Sequence, residues 1–212
     1  TFNKAVTATS GITLNDQTGD AKVIFAANNS VTITGTIDGA SSDEGTIQVT
    51  GATKTFASVI GGSQALTLID IDNTSTFNEA ISATNINVAD SITATAKKAI
   101  TATAIVLDAG TLVLSDNNSV TIAGTINGSN TTEGTLQITG ATKTFSGAIG
   151  TTQALTLIDV DNAAIFNGSI EATILSVAAS NYALALNGAA NVIANAVTFS
   201  NTGALTLGDA NT

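Results

Sequence analysis

Apolar and polar residues alternate along this chain in short runs, and no long stretch carries the three-to-four-residue stripe of an amphipathic helix. Runs begin near Val31, Thr46, Leu66, Ile86 and Ala104, and again near Val120, Thr135, Leu155 and Leu175, in steps of 15 to 20 residues. In Leu66-Thr67-Leu68 the leucines share one face. The phase then slips, and in Ile69-Asp70-Ile71-Asp72 the alternation turns the isoleucines inward and the aspartates outward. A slip of one residue between two short strands is what the corner of a coil requires. Glycines at 51, 61, 62, 110, 124 and 140 fall where such corners are expected.

The pattern also repeats at long range. Gly51–Asn73 (GATKTFASVIGGSQALTLIDIDN) returns as Gly140–Asn162 (GATKTFSGAIGTTQALTLIDVDN), 89 residues later. The match runs in register from Asn28-Asn29-Ser30 and Asn117-Asn118-Ser119 to Phe77-Asn78 and Phe166-Asn167. The expected organisation is one solenoid over 1–212: a partial repeat over 1–27, a first unit over 28–116 and a second over 117–212. Phe56 and Phe77 lie 21 apart, as do Phe145 and Phe166, which is one coil of a β-solenoid and too short for a βαβ unit. The fold class expected is therefore all-β, a right-handed parallel β-helix. Roughly ten to eleven coils at about 4.8 Å each make a rod on the order of 50 Å long.

Composition supports this reading. The chain has 212 residues, 43% hydrophobic and 10% charged, with β-branched and turn residues in place of long helix formers. It has no proline, whose missing N–H would break the ladder between coils. The net charge of −10, with one lysine pair at Lys97-Lys98, argues against nucleic-acid binding. No apolar run reaches the roughly 20 residues of a membrane span. The chain opens on Thr1 rather than Met, which reads as a removed leader or a section of a longer polypeptide.

Chemistry is sparse. With no His and no Cys, nucleophilic triads and zinc sites lack their residues, and no catalytic residue is expected. The pairs Asp70/Asp72 and Asp159/Asp161 each set two carboxylates on one outward face, about 7 Å apart. Solvated surface acids are the first reading, and a Ca²⁺ site helped by Asn73 or Asn162 is the alternative. Asp90 would extend the first cluster, but the second unit has Ala179 there. No other cofactor is expected. Asparagines 28, 29, 73, 117, 118 and 162 are expected in ladders that satisfy corner backbone groups. The Phe-x-x-x-Ile/Val spacing at Phe2/Val6, Phe56/Ile60, Phe77/Ile81, Phe145/Ile149 and Phe166/Ile170 reads as lumen packing across a corner, with a carbohydrate-stacking face as the alternative. Lys54 and Lys143, in GATKTF, read as solvent-facing guards of a strand. The rows Thr93-Ala94-Thr95 and Thr101-Ala102-Thr103 have the T-x-T form of ice-binding ladders but are not expected to recur in register.

At GATKTF-x-x-x-IG-x-x-QALTLI-D-x-DN and [TI]-F-N-x-[AS]-I-x-A-T the chain resembles repetitive passenger regions of bacterial surface proteins: autotransporter and haemagglutinin-like adhesins and surface-fibre proteins. The resemblance implies a right-handed parallel β-helix displayed outside the cell. The expected function is a structural extracellular stalk or filament segment. Ala204–Thr212 resembles Ala65–Asn73, and Thr1-Phe2-Asn3 resembles Thr76-Phe77-Asn78, so the partners expected are further copies of the chain, end to end. An adhesin or carbohydrate-binding module, reading host or surface glycans with its acidic face, is the alternative. A β-helical polysaccharide enzyme stands third.

Overall fold

The computed structural model describes residues 1–15 and 21–208. The last residues of the Ala204–Thr212 match, 209–212, lie outside the described residues. Every described element is a β-strand or bridge, and every strand pairing is parallel. Two ten-stranded sheets and one two-stranded sheet wind into a β-solenoid of about nine turns.

Strand register traces three columns of inward residues. The first runs Phe2, Phe25, Val49, Ile71, Val88, Leu107. The second runs Val6, Ile33, Phe56, Phe77, Ala96, Leu114, Ile138, Val160, Val177. The third runs Ile12, Ile37, Ile60, Ile81, Ile100, Ile122, Phe145, Phe166, Leu186, Leu207. Ten residues stack in this third column, with nine register steps between Ile12 and Leu207. Several turns exceed the expected step: Leu114 stacks on Ile138, 24 residues on, because the excursion through Ser129–Glu133 lengthens the coil.

The lumen is lined mainly by apolar side chains. Ile69 and Ile71 are buried while Asp70 is half-buried and Asp72 exposed, as the alternation predicts. All four internal Phe/Ile pairs of the Phe-x-x-x-Ile spacing lie in the core. Phe56 stacks on Phe77 with centroids 5.0 Å apart and planes 5° apart, and Phe145 stacks on Phe166 at 4.8 Å and 5°. Parallel stacking in register brings like side chains face to face on successive turns. Glycine is required at one corner in both copies. Gly61 has φ +68 and a Cβ there would stand 2.0 Å from Ser82 O; its counterpart Gly150 has φ +74, with Glu171 O at 1.9 Å.

The 89-residue repeat and the coil do not share a period. Four register steps lead from Phe56 through Phe77, Ala96 and Leu114 to Ile138, all in the second column. Phe145, the counterpart of Phe56, lies seven residues beyond Ile138 and stands in the third column. One repeat is therefore four turns plus a third of a turn. The second copy presents its sequence on a different face of the rod from the first.

Candidate functional site

The acidic pairs are set by two strands of identical pattern. Leu66–Ile71 and Leu155–Val160 bury the first, fourth and sixth residues, which leaves the aspartates on the outer side. Each pair is bridged from the turn before by a glutamine 22 residues upstream of its first aspartate. Gln48 Nε2 donates to Asp70 Oδ2 at 3.3 Å and to Asp72 Oδ2 at 2.6 Å. Gln137 Nε2 donates to Asp159 Oδ2 at 3.2 Å and to Asp161 Oδ2 at 3.3 Å. The amide occupies the position between the two carboxylates. Alternation predicted the acids but not the glutamine, although the common 22-residue offset in both copies is a readable signal.

Burial pushes the Asp70 carboxyl above its ordinary value, and the neighbouring Asp72 adds to this; Lys22 and Gln48 oppose it. Asn87, and not Asp90, stacks on Asp70 in the next turn. Asp90 instead accepts a hydrogen bond from Ser91 Oγ at 3.0 Å. The second copy carries Ser176 in the place of Asn87. Asp70, Asp72, Asn87, Asp108 and Ser129 line a groove of about 240 Å³. Among the described residues, no three acids, His or Cys gather as a metal-binding group. The two acid pairs lie in different columns, one around Ile71 and the other around Val160.

Lys54 and Lys143 are not solvent-facing. They are 0% and 1% exposed. Lys54 Nζ donates to Ala27 O at 2.8 Å and to Ala52 O; Lys143 Nζ donates to Asp116 O at 2.9 Å and to Ala141 O. The reason is the period of two: Lys54 is two residues from Phe56, so it shares the inward face, and its ammonium folds back to cap corner carbonyls. Burial lowers the pKa of both lysines, and for Lys143 the nearby Asp116 partly offsets it.

Of the asparagines expected at corners, Asn73 and Asn162 bond corner backbone groups. Asn73 donates to Gly51 O and accepts from Thr74 N at 2.8 Å, and Asn162 accepts from Ala163 N at 2.8 Å. The threonine rows depart from expectation. Thr32, Thr55, Thr76 and Thr95 stack in register on four successive turns, with Thr53, Thr74 and Thr93 two places before Thr55, Thr76 and Thr95. Turns of 21 and 19 residues bring these rows into line, and the ladder ends at Val113.

A second polar feature breaks the repeat. Asp116 is 5% exposed, where the first copy has Ala27. It lies two residues beyond Leu114 and inherits the inward phase. Its Oδ1 accepts from Asn118 N at 3.0 Å and Asn118 Nδ2 at 3.1 Å, while Oδ2 stands 3.6 Å from Lys98 Nζ. Burial raises its pKa, but Asn118 and Lys98 together outweigh this and hold the carboxyl below its ordinary value.

The fold and these sites define a parallel β-solenoid with a rotated internal repeat. No family model, curated protein or solved structure matches the chain.

Proposed function

We propose that this chain is a structural segment of an extracellular stalk or filament, a right-handed solenoid continued by further turns. The observation that carries the reading is the exposure of apolar side chains on the outermost described strands, which pair on one side among the described residues. Leu205–Leu207 pairs on one side with Leu184–Leu186, and Leu205 and Leu207 are 40% and 62% exposed. At the other end Phe2, bridged to Phe25, is 38% exposed. Unpaired strand edges with apolar side chains recruit another strand. The fitting partner is a further coil, of the same polypeptide or of another copy. The right-handed sense follows from the rule for parallel crossovers. The likeness of the GATKTF units to bacterial surface-protein repeats supports placement outside the cell.

The Gln48/Asp70/Asp72 face beside its groove favours a second reading, an adhesin module that binds glycans laterally. Electron microscopy of native material separates the two. Fibres of uniform width with a layer spacing near ~4.8 Å support the stalk. Monodisperse short rods that bind glycans support the adhesin and sink the stalk.

A further inference from the structure

The geometry points to a binding site for an acidic saccharide, carboxylated or sulfated, at the corner where the first repeat hands over to the second. The inference does not rest on the stalk reading. Asn78, Lys97, Lys98, Ser115, Asp116 and Asn118 line a pocket of about 370 Å³ there, within the size range of small-ligand sites. Two shielded acceptors meet in it: Asn78 Oδ1 and Asp116 Oδ2 make no hydrogen bond. Asp116 Oδ2 has the Lys98 ammonium 3.6 Å away as an ion-pair partner, so it is Asn78 Oδ1 that calls for a donor from outside, since shielded polar atoms are rarely left without one.

The charges narrow the choice. Lys97 and Lys98 are adjacent on a chain of net charge −10 and sit on the rim of this pocket. Lys98, the side chain over Asp116 Oδ2, is 36% exposed on a flexible stem, so it can turn outward and take an anion. Two lysines against one carboxylate leave the pocket positive, which disfavours a metal ion or an ammonium. A simple phosphate or sulfate suits the lysines but gives nothing to two acceptors. Sugar hydroxyls donate to Asp116 Oδ2 and Asn78 Oδ1, and a ring carboxylate or sulfate accepts from the lysines. A saccharide bearing an acidic group meets all four requirements.

The site is unique to one place in the chain. The first copy has Ala27 where the second has Asp116, and the positions 89 residues beyond Lys97 and Lys98 are Leu186 and Asn187. Repetition therefore does not explain it.

The test is isothermal titration of the full chain with four probes: galacturonate trisaccharide, sulfated galactotriose, neutral galactotriose and sodium sulfate. Amide shifts at 78, 97–98 and 115–118 locate the site. At least one acidic trisaccharide binds saturably, about tenfold or more tighter than galactotriose and sulfate. D116A and K98Q each weaken it by a similar factor. D116A keeps its melting temperature, because alanine already occupies that corner in the first copy. The proposal is overturned if neither acidic sugar binds better than the neutral one, if sulfate alone gives the same shifts and affinity, or if binding survives both substitutions.

Discussion

Phe56 and Phe145 occupy the same place in two near-identical segments and stand on different faces of the rod. Phe56 stacks between Ile33 and Phe77, and Phe145 between Ile122 and Phe166. Each keeps the same kind of neighbours, since the local pairing of a repeat travels with it. Only the column changes. Lateral features such as the two Gln/Asp/Asp groups consequently point in different directions along the rod.

The aromatic stacks carry much of the lumen's apolar contact. Phe166→Ala is expected to destabilise the fold by about 3–5 kcal/mol, and Phe56→Ala likewise, because the cavity lies in a fully buried stack. Phe2→Ala, at an open end and 38% exposed, is expected to cost well under half of that. Denaturant melts of the three variants check the ranking.

Lys54→Met removes the donor to two corner carbonyls, Ala27 O and Ala52 O. The expected loss is about 1–3 kcal/mol. Lys143→Met is expected to behave alike, and the double variant to lose the sum, since the two share no partner. Were the lysines strand guards in solvent, both changes would fall within about 0.5 kcal/mol of the parent.

How much of this was legible is clearest at single residues. The inward Ile69 and Ile71 follow from alternation, because each side chain's side is fixed by its neighbour's. The same rule, applied to Lys54-Thr55-Phe56 and to Leu114-Ser115-Asp116, puts Lys54 and Asp116 inward. Residue type argued the other way, and geometry prevailed because corner carbonyls and Asn118 supply the partners. Gln48 was obscured because its partners lie one turn away, a distance set by loop lengths that no local pattern encodes. For the same reason the third-of-a-turn offset was not legible: turns vary from 17 residues, Val160 to Val177, to 27, Val6 to Ile33.

Asp70 supplies a pH dependence. Its folded pKa is raised, by burial first and then by Asp72, from an ordinary 3.8. The folded state thus holds the proton better than the unfolded chain. The stabilisation is fully present below about pH 3.8 and is lost as pH rises through the folded value. Asp70→Asn is therefore expected to melt slightly higher than the parent at pH 7. Solvent screens this partly exposed pair, so the gain is at most about 1 kcal/mol. The gain shrinks towards pH 3.8; one that grows on acidification contradicts the assignment.

Chelation tests the acid pairs from another side. The Gln48 and Gln137 amides already lie between the carboxylates, so EDTA is expected to change the melting temperature only modestly. Collapse of the fold on chelation would show that a cation holds the faces instead.

The offset between repeat and coil hinges on the pairing of Thr95 with Val113. Val113 is the counterpart of Ile24, 89 residues earlier, which lies in the first column, whereas Thr95 lies in the second. The chain has no cysteine, so a paired substitution reports one contact. Parallel neighbours about 4.8 Å apart fall within the reach of a disulfide. Thr95→Cys/Val113→Cys is predicted to cross-link on mild oxidation as completely as the control Thr55→Cys/Thr76→Cys. A control that closes while Thr95/Val113 stays reduced would contradict the rotated stack.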